Sequence, residues 1–237
     1  MVRDSLQTAR SSIGIQSYFG RVYNYMAGGL LMSALMAWLS VRDPLMKLFY
    51  QVSTEGMLSM TILGWIAILS PLLVVFLIGN ATSKLNVQQA QLWFWVFSAL
   101  MGISLINIFF LYSGTAIFQA FIVTAGMFFV LSFIGAKTEK DLTSLGRFLF
   151  MGLVGIILAS LVNIFIGSGQ FNFILNILSV IVFVGLTAYD TNRLKHLYNS
   201  SDSDDLANAK AIQGALALYL DFINLFRLML YFLNNRR

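Results

Sequence analysis

The sequence has no cysteine, only two prolines, a single histidine and few charged residues. Without cysteine the chain has no disulfide framework, no thiolate metal site and no thiol nucleophile. The one histidine, His196, excludes a site built from several histidines. Only 11% of the residues are charged, whereas a soluble globular domain carries about 25%. Together these absences exclude an ordinary soluble domain.

Apolar residues make up 58% of the chain and cluster in seven runs. A helix that crosses a hydrocarbon core of about 30 Å needs about 20 such residues. The predicted spans cover about 22–41, 58–79, 90–112, 115–136, 146–168, 172–192 and 211–233. We therefore predict an all-α integral membrane protein, a bundle of seven transmembrane helices forming one polytopic domain over residues 1–237. No small-residue cleavage site follows the first run, so we expect the first span to be retained.

The basic residues predict the orientation of this bundle. If the N-terminus is cytoplasmic, ten Lys and Arg residues fall on the cytoplasmic side, four fall on the opposite side, and Arg227 lies inside the last span. Cytoplasmic loops carry the excess of Lys and Arg, so the N-terminus is predicted inside and the C-terminus outside. Because these residues are spread over several short loops, the net charge of +5 does not indicate nucleic-acid binding.

Small residues four apart predict places where helices pack closely. The pairs are Gly29 with Ser33 and Gly155 with Ala159, and this spacing lets two backbones approach each other in lipid. Pro71 lies inside the second predicted span, where it removes one backbone hydrogen bond and is expected to kink the helix.

Two of the ten acidic residues fall in or at the edge of a predicted span. Asp190 stands in VGLTAYDTNRLK, near the cytoplasmic end of the sixth span, and Asp221 stands in the middle of ALALYLDFINLF in the seventh. A central aspartate costs roughly 2.5–3.5 kcal/mol on insertion scales, which makes an intramembrane carboxylate a functional candidate. If the sixth helix continues to about Lys195, the two carboxylates can face each other at similar depth. The geometry permits a pair without requiring one.

A close carboxylate pair would respond to protonation. Two negative charges in a medium of low dielectric constant favour sharing one proton. The protonated pair would hold the two helices together, and the deprotonated pair would repel or bind a cation such as Ca²⁺ transiently, which makes a pH-biased gate. Arg193, one turn after Asp190, and Asn224, one turn after Asp221, are candidate supporting residues. The structural alternatives are an interhelical hydrogen bond for the pair and for Asn224, and a cytoplasmic topology charge for Arg193.

At these motifs the chain resembles the transmembrane Bax-inhibitor motif (Bax inhibitor-1-like) family, in the style of a bacterial member. FVGLTAYDTNRLK and GALALYLDFINLF are similar to the family's signature ends, and the likeness covers roughly residues 18–233. The resemblance implies seven helices with a central hydrophobic helix, and a pH-sensitive calcium leak with Asp190 and Asp221 as the pH sensor. In some members a basic residue of the second span engages the pair. Here the nearby candidate is Lys84, just after that span.

Two other functions stay open at this point. Related proteins suggest a regulator that binds another membrane protein, such as a protease. An intramembrane aspartyl protease would carry Gly-x-Gly before its second aspartate, but Leu218, Tyr219 and Leu220 precede Asp221. We therefore predict no enzymatic activity. We also expect no cofactor beyond Ca²⁺ as a permeating ion. The apolar runs and the resemblance to a bacterial member predict a place in the bacterial cytoplasmic (inner) membrane. The expected partners are lipid, Ca²⁺, protons and, for a regulator, a membrane protein.

Overall fold

The computed structural model describes residues 2–52, 58–81 and 87–234. Within these ranges the chain forms nine helices and a two-stranded sheet. In chain order the elements are α1 (Val2–Ser40), α2 (Met46–Phe49), β1 (Tyr50–Val52), β2 (Leu58–Met60), α3 (Ile62–Ala81), α4 (Val87–Ser104), α5 (Asn107–Leu111), α6 (Gly114–Lys137), α7 (Thr143–Ile166), α8 (Gly169–Leu197) and α9 (Asp204–Asn234).

Six helical segments are long and apolar enough to cross a membrane, counted over the described residues. They match the first predicted span and the third to seventh: Gly14–Ser40, Val87–Leu111, Gly114–Lys137, Thr143–Ile166, Gly169–Leu197 and Asp204–Asn234. Helix α3 lies at the second predicted span and contains Pro71. Its apolar segment among the described residues, Ile62–Pro71, is too short to cross a membrane. The all-α membrane class is confirmed. The crossing by α3, which would bring the number of spans to seven, the central helix and the orientation stay predictions.

Several helices extend beyond the apolar runs that predicted them. Helix α8 continues to Leu197, so the condition for placing Asp190 inside the helix is met, and α9 begins at Asp204 rather than near 211. Backbone hydrogen bonds continue a helix into polar sequence, whereas the apolar run marks only the part that lipid covers. The turn between α7 and α8 is short, as predicted. Gly167 adopts the left-handed conformation (φ 67°) that ends α7, and Ser168 caps α8 by accepting the Phe171 N–H.

A short β-hairpin lies between α2 and α3: β1 falls in the predicted loop, and β2 replaces the first residues of the second predicted span. Strands β1 and β2 are antiparallel, with Tyr50 opposite Met60. The Thr61 hydroxyl, just after β2, donates to the Leu48 carbonyl at 2.6 Å and fastens the hairpin to α2. Three residues per strand are too few for a period-two pattern to be recognised in sequence, which explains the difference.

The chain divides into two compact units, and α9 contributes to both. One unit contains Met1–Ser113 and Ser200–Leu216, and the other contains Gly114–Asn199 and Ala217–Arg237. Asp190 and Asp221 both belong to the second unit. The prediction of one membrane domain over the whole chain stays a prediction.

The first unit confirms one predicted packing pair, and the second contradicts the other. A Cβ added at Gly29 would lie 2.8 Å from the Phe94 ring of α4, and the Ser33 hydroxyl donates to the Ser98 carbonyl at 2.6 Å. Gly155 of α7 is exposed, and a Cβ there would meet no atom of the described residues within 4 Å. The prediction for Gly155 is wrong because small-residue spacing does not say which face of a helix meets a neighbour.

Candidate functional site

The two intramembrane acids lie on consecutive helices of the second unit. Asp190 is half-buried on α8, and Asp221 is only 5% exposed on α9. Their carboxyl groups approach closely enough for a side-chain hydrogen bond. The Oδ2 atom of Asp221 is buried with no hydrogen-bond partner among the described residues. Two carboxyl groups in hydrogen-bonding contact need a proton between them, because two carboxylates offer only acceptors.

The three candidate supporting residues have different outcomes. Arg193 is exposed, and its positive charge acts on Asp190. Asn224 donates its amide to the Leu220 carbonyl of its own helix at 2.9 Å, so this hydrogen bond stays within α9. Lys84 lies outside the described residues. Only Arg193 is therefore placed beside the acid it was predicted to support.

A set of polar contacts, which we call the α6–α8 clasp, joins the turn after Asp190 to the end of α6. Its members are Ser132 and Gly135 in the last turns of α6, Thr138 directly after that helix, and Thr191, Asn192 and Lys195 of α8. Asn192 donates to the carbonyls of Gly135 at 3.2 Å and Thr138 at 2.8 Å. The hydroxyls of Ser132 and Thr191 share a hydrogen bond of 3.1 Å. Sequence reasoning missed this contact set. The available signal was the polar Thr–Asn pair directly after Asp190.

Helix α7 contacts the neighbouring face of the same α8 turn. The Tyr189 ring lies where a side chain on Gly146 would stand, and Leu149 lies against Gly185. Leu149 is also part of a small buried apolar cluster with Val182 and Leu186 of α8. The segment of α8 that carries Asp190 is thus held by contacts with α6 and α7.

Aromatic rings hold the α9 segment that carries Asp221 against α6. The Phe222 ring packs edge-on against Phe121 and Phe128 of α6, with ring centroids 5.6 and 5.7 Å apart. Tyr219, two residues before Asp221, has no exposed surface. Apolar packing therefore surrounds the α9 segment that carries Asp221, and a medium of low dielectric constant strengthens the charge interactions of a buried carboxyl group.

The described residues contain no group of three or more His, Cys, Asp or Glu side chains arranged to hold a metal ion. Calcium takes six to eight oxygen ligands in its binding sites. Asp190 and Asp221 supply carboxylate oxygens for only part of such a shell.

Known proteins resemble this chain over nearly its full length. A family model described as inhibitor of apoptosis-promoting Bax1 matches residues 15–237. The inner membrane protein YbhL of Escherichia coli (strain K12) is 39% identical over 99% of this chain and 97% of that protein. A protein of Rickettsia prowazekii (strain Madrid E) is 37% identical over 94% of this chain and 92% of its own length. A membrane protein of Streptococcus pyogenes serotype M1 is 33% identical over 95% of both chains.

The predicted localisation agrees with these relatives. The six apolar helices have the length and composition of membrane spans, and relatives are named as inner membrane or membrane proteins. The chain is an integral membrane protein of a bacterial inner membrane.

Proposed function

Because this chain belongs to the Bax inhibitor-1-like family of membrane proteins, we propose that it forms a pH-sensitive calcium leak. Asp190 and Asp221, which we call the gate pair, control the leak by gaining and losing a proton. The observation that carries this proposal is the contact between their carboxyl groups inside the second unit. A buried acid pair has no need to exist for packing alone, since apolar side chains of similar size would fill the same space.

The gate pair closes the leak when it holds a proton. In that state it is hydrogen-bonded and joins α8 to α9. After the proton leaves, two unit charges about 4 Å apart repel by about 4 kcal/mol at an effective dielectric constant of about 20. That energy shifts an equilibrium between closed and open helices by roughly a thousandfold. The leak therefore increases as the pH rises.

Within the described residues, the charged groups that act on the gate pair are its own two carboxyls and Arg193. Arg193 favours the ionised form of Asp190 and thus assists opening. In the open state the carboxylates offer oxygen ligands to Ca²⁺, which keeps water for the rest of its shell. Calcium is the permeating ion, and the mechanism uses no resident cofactor.

The test is calcium flux into liposomes that contain the purified protein and a trapped calcium dye. Wild-type flux is expected to rise from mildly acidic to mildly alkaline pH. Asp190→Asn and Asp221→Asn each remove one charge and the shared proton, so flux in these variants should stay low across the same pH range. Asp205→Asn is the matched control, because Asp205 is an exposed acid at the start of α9, and its flux curve should match the wild type.

Several outcomes would contradict the proposal. A pH response that survives both Asp→Asn substitutions would show that the gate lies elsewhere. Absence of flux from pure protein at every pH, with co-purification of a stoichiometric membrane partner, would favour the regulator. Cleavage of a model transmembrane substrate that Asp221→Ala abolishes would instead indicate a protease.

A further inference from the structure

Asn192 holds the end of α6 with its side chain. It is 1% exposed and donates to two carbonyls, those of Gly135 and Thr138. The last carbonyls of a helix have no partner within that helix. Asn192 therefore caps the end of α6 from a different helix. Lys195, one turn later, reaches the Thr138 carbonyl at 3.5 Å and places a positive charge at the negative end of the α6 dipole.

Gly135 brings the two backbones together at this point. A Cβ on Gly135 would collide with the Ala188 carbonyl oxygen of α8 and lie 3.0 Å from the Thr191 Cβ. Ala188, Thr191, Asn192 and Lys195 are three or four residues apart, so they lie on one face of α8. This face, which meets α6, is fixed by polar bonds and by backbone contact.

Asp190 lies on the opposite side of α8. Successive residues of an α-helix are rotated by about 100°, so Asp190 points about 200° away from both Ala188 and Asn192. The same turn of α8 thus contacts α6 on one side and Asp221 of α9 on the other. A rotation of α8 by about 30° would move a carboxyl about 5 Å from the helix axis by roughly 3 Å, enough to separate it from the Asp221 carboxyl. Such a rotation would also break the bonds of Asn192.

We propose that Asn192 is a positioning residue of the gate: its two hydrogen bonds to the end of α6 fix the rotation of α8 that places Asp190 against Asp221. This inference rests on the function proposed above. The α6–α8 clasp keeps the gate pair together in the closed state, and opening requires the hydrogen bonds of the clasp to break. Asn192 touches neither carboxyl group in this role. It acts through the backbone of α8.

The main test variant is Asn192→Leu, which keeps a similar shape and removes the donor. The flux curve is expected to keep its pH dependence, but with its midpoint moved toward acid by about one pH unit. This is the tenfold change that the loss of one or two hydrogen bonds produces. Asn192→Gln, which retains an amide donor, should move the midpoint less. Asn176→Leu is the matched control, because Asn176 lies on the same helix and donates to the Asn172 carbonyl of α8 itself.

A second measurement does not depend on flux. Because the chain lacks cysteine, Asp190→Cys with Asp221→Cys introduces the only two thiols, and a short bifunctional thiol reagent reports whether they face each other. Adding Asn192→Leu should slow cross-linking about tenfold, and adding Asn176→Leu should leave it unchanged. If Asn192→Leu does not fold, Ser132→Ala removes the neighbouring clasp bond to Thr191 and should slow cross-linking in the same direction.

The outcomes separate the two proposals. Wild-type protein without flux, together with cross-linking that Asn192→Leu slows, would refute the leak but leave standing that Asn192 holds Asp190 against Asp221. A pH-dependent leak whose midpoint and cross-linking rate are both unchanged by Asn192→Leu would overturn the positioning role and leave the leak standing. A loss of all pH dependence in Asn192→Leu would also overturn the positioning role. Loss of a positioning residue should shift the pH midpoint but leave the pH response, because Asp190 and Asp221 are still present.

Discussion

At the scale of single residues, Gly135 shows how an absent side chain shapes the site. Gly135→Ala would push a methyl group into the Ala188 carbonyl of α8. Overpacking of this kind costs typically 1–3 kcal/mol, and here it would also separate the α6–α8 clasp. We therefore expect Gly135→Ala to lower the melting temperature of the purified protein in detergent and to weaken the gate pair.

Gly126 provides the matched control for this prediction. It lies on the same helix, and within the part of the chain that the structure describes a Cβ there would meet no atom within 4 Å. Gly126→Ala should leave stability unchanged or raise it by up to about 1 kcal/mol, the difference in helix propensity between the two residues. Equal melting temperatures for the Gly135 and Gly126 variants would show that α6 and α8 do not approach as closely as the structure has them.

Sequence reasoning found the acids of this site but not the residues that position them. Asp190 and Asp221 are recognisable because a carboxylate inside a span is rare and costly. Ser132 and Gly135 are common types at helix ends and small-residue faces, and the polar Thr–Asn pair that contains Asn192 does not say which helix it contacts. The partner of Asn192 is 57 residues away in sequence, and helical periodicity carries no information on such a distance. The close approach of two backbones appears only in three dimensions.

At the scale of elements, the start of α7 carries an acid whose chemistry differs from that of the gate pair. Exposed Asp141 accepts the Thr143 backbone N–H at 2.8 Å and also the Thr143 hydroxyl. These two hydrogen bonds hold the pKa of the Asp141 carboxyl below its usual range, with smaller contributions from His196 and Arg147. A carboxyl whose pKa is lowered on folding stabilises the helix start above its unfolded pKa, and this effect is lost as the pH falls through the folded pKa.

We predict that Thr143→Val raises the pKa of Asp141 toward the ordinary value of about 3.9, because the hydroxyl donor is lost. Thr143→Ser keeps a hydroxyl and should leave the pKa close to that of the wild type. Carboxyl carbon shifts followed by NMR during an acid titration measure both values. Since Asp141 stays ionised near neutral pH, neither variant should change the pH midpoint of calcium flux. A moved midpoint would mean that this loop takes part in gating.

Hydropathy locates the membrane spans in the sequence, but it does not locate the ends of the helices. It located α8 and α9 because their apolar runs are long, but it placed the start of α9 near 211, whereas the helix begins at Asp204. The first turn of α9 carries Asp204 and Asp205, which favour the positive end of the helix dipole and so support a start in polar sequence. Transfer free energy reports lipid contact, and capping and the dipole decide where the helix begins.

At the scale of the whole molecule, the helices differ in how much protein surrounds them. In α9 half of the most apolar window is buried within the protein, whereas in α7 only 6% is buried. A span with so little burial must face lipid over most of its surface, since its apolar side chains find no other cover. The most protected helix is thus the one that carries Asp221. In such a buried environment the dielectric constant is low, so gaining or losing one proton changes the electrostatic energy more than it would at the surface.

The number of membrane crossings decides which side of the membrane each loop faces. One ion pair already joins two segments of the first unit: Arg21 of α1 contacts Asp204 of α9 at 3.2 Å. Both residues are predicted on the cytoplasmic side.

With α1, α3, α4–α5 and α6 all crossing, the N-terminus and the loop that contains Lys140 lie on the same side. If α3 does not cross, that relation reverses, because every helix after α3 is then inverted.

Thiol labelling can determine this relation, since the natural chain contributes no cysteine. With a seven-span protein, Lys140→Cys and His196→Cys should be protected from a membrane-impermeant thiol reagent in intact cells, as should a cysteine placed in an N-terminal tag. Gly169→Cys, at the exposed start of α8, should be labelled. If the tag is protected while Lys140→Cys is labelled and Gly169→Cys is not, α3 does not cross. The cytoplasmic excess of Lys and Arg favours the seven-span result. The gate pair would then lie toward the cytoplasmic half of the membrane, where α8 ends, and would respond to the pH of the cytoplasm.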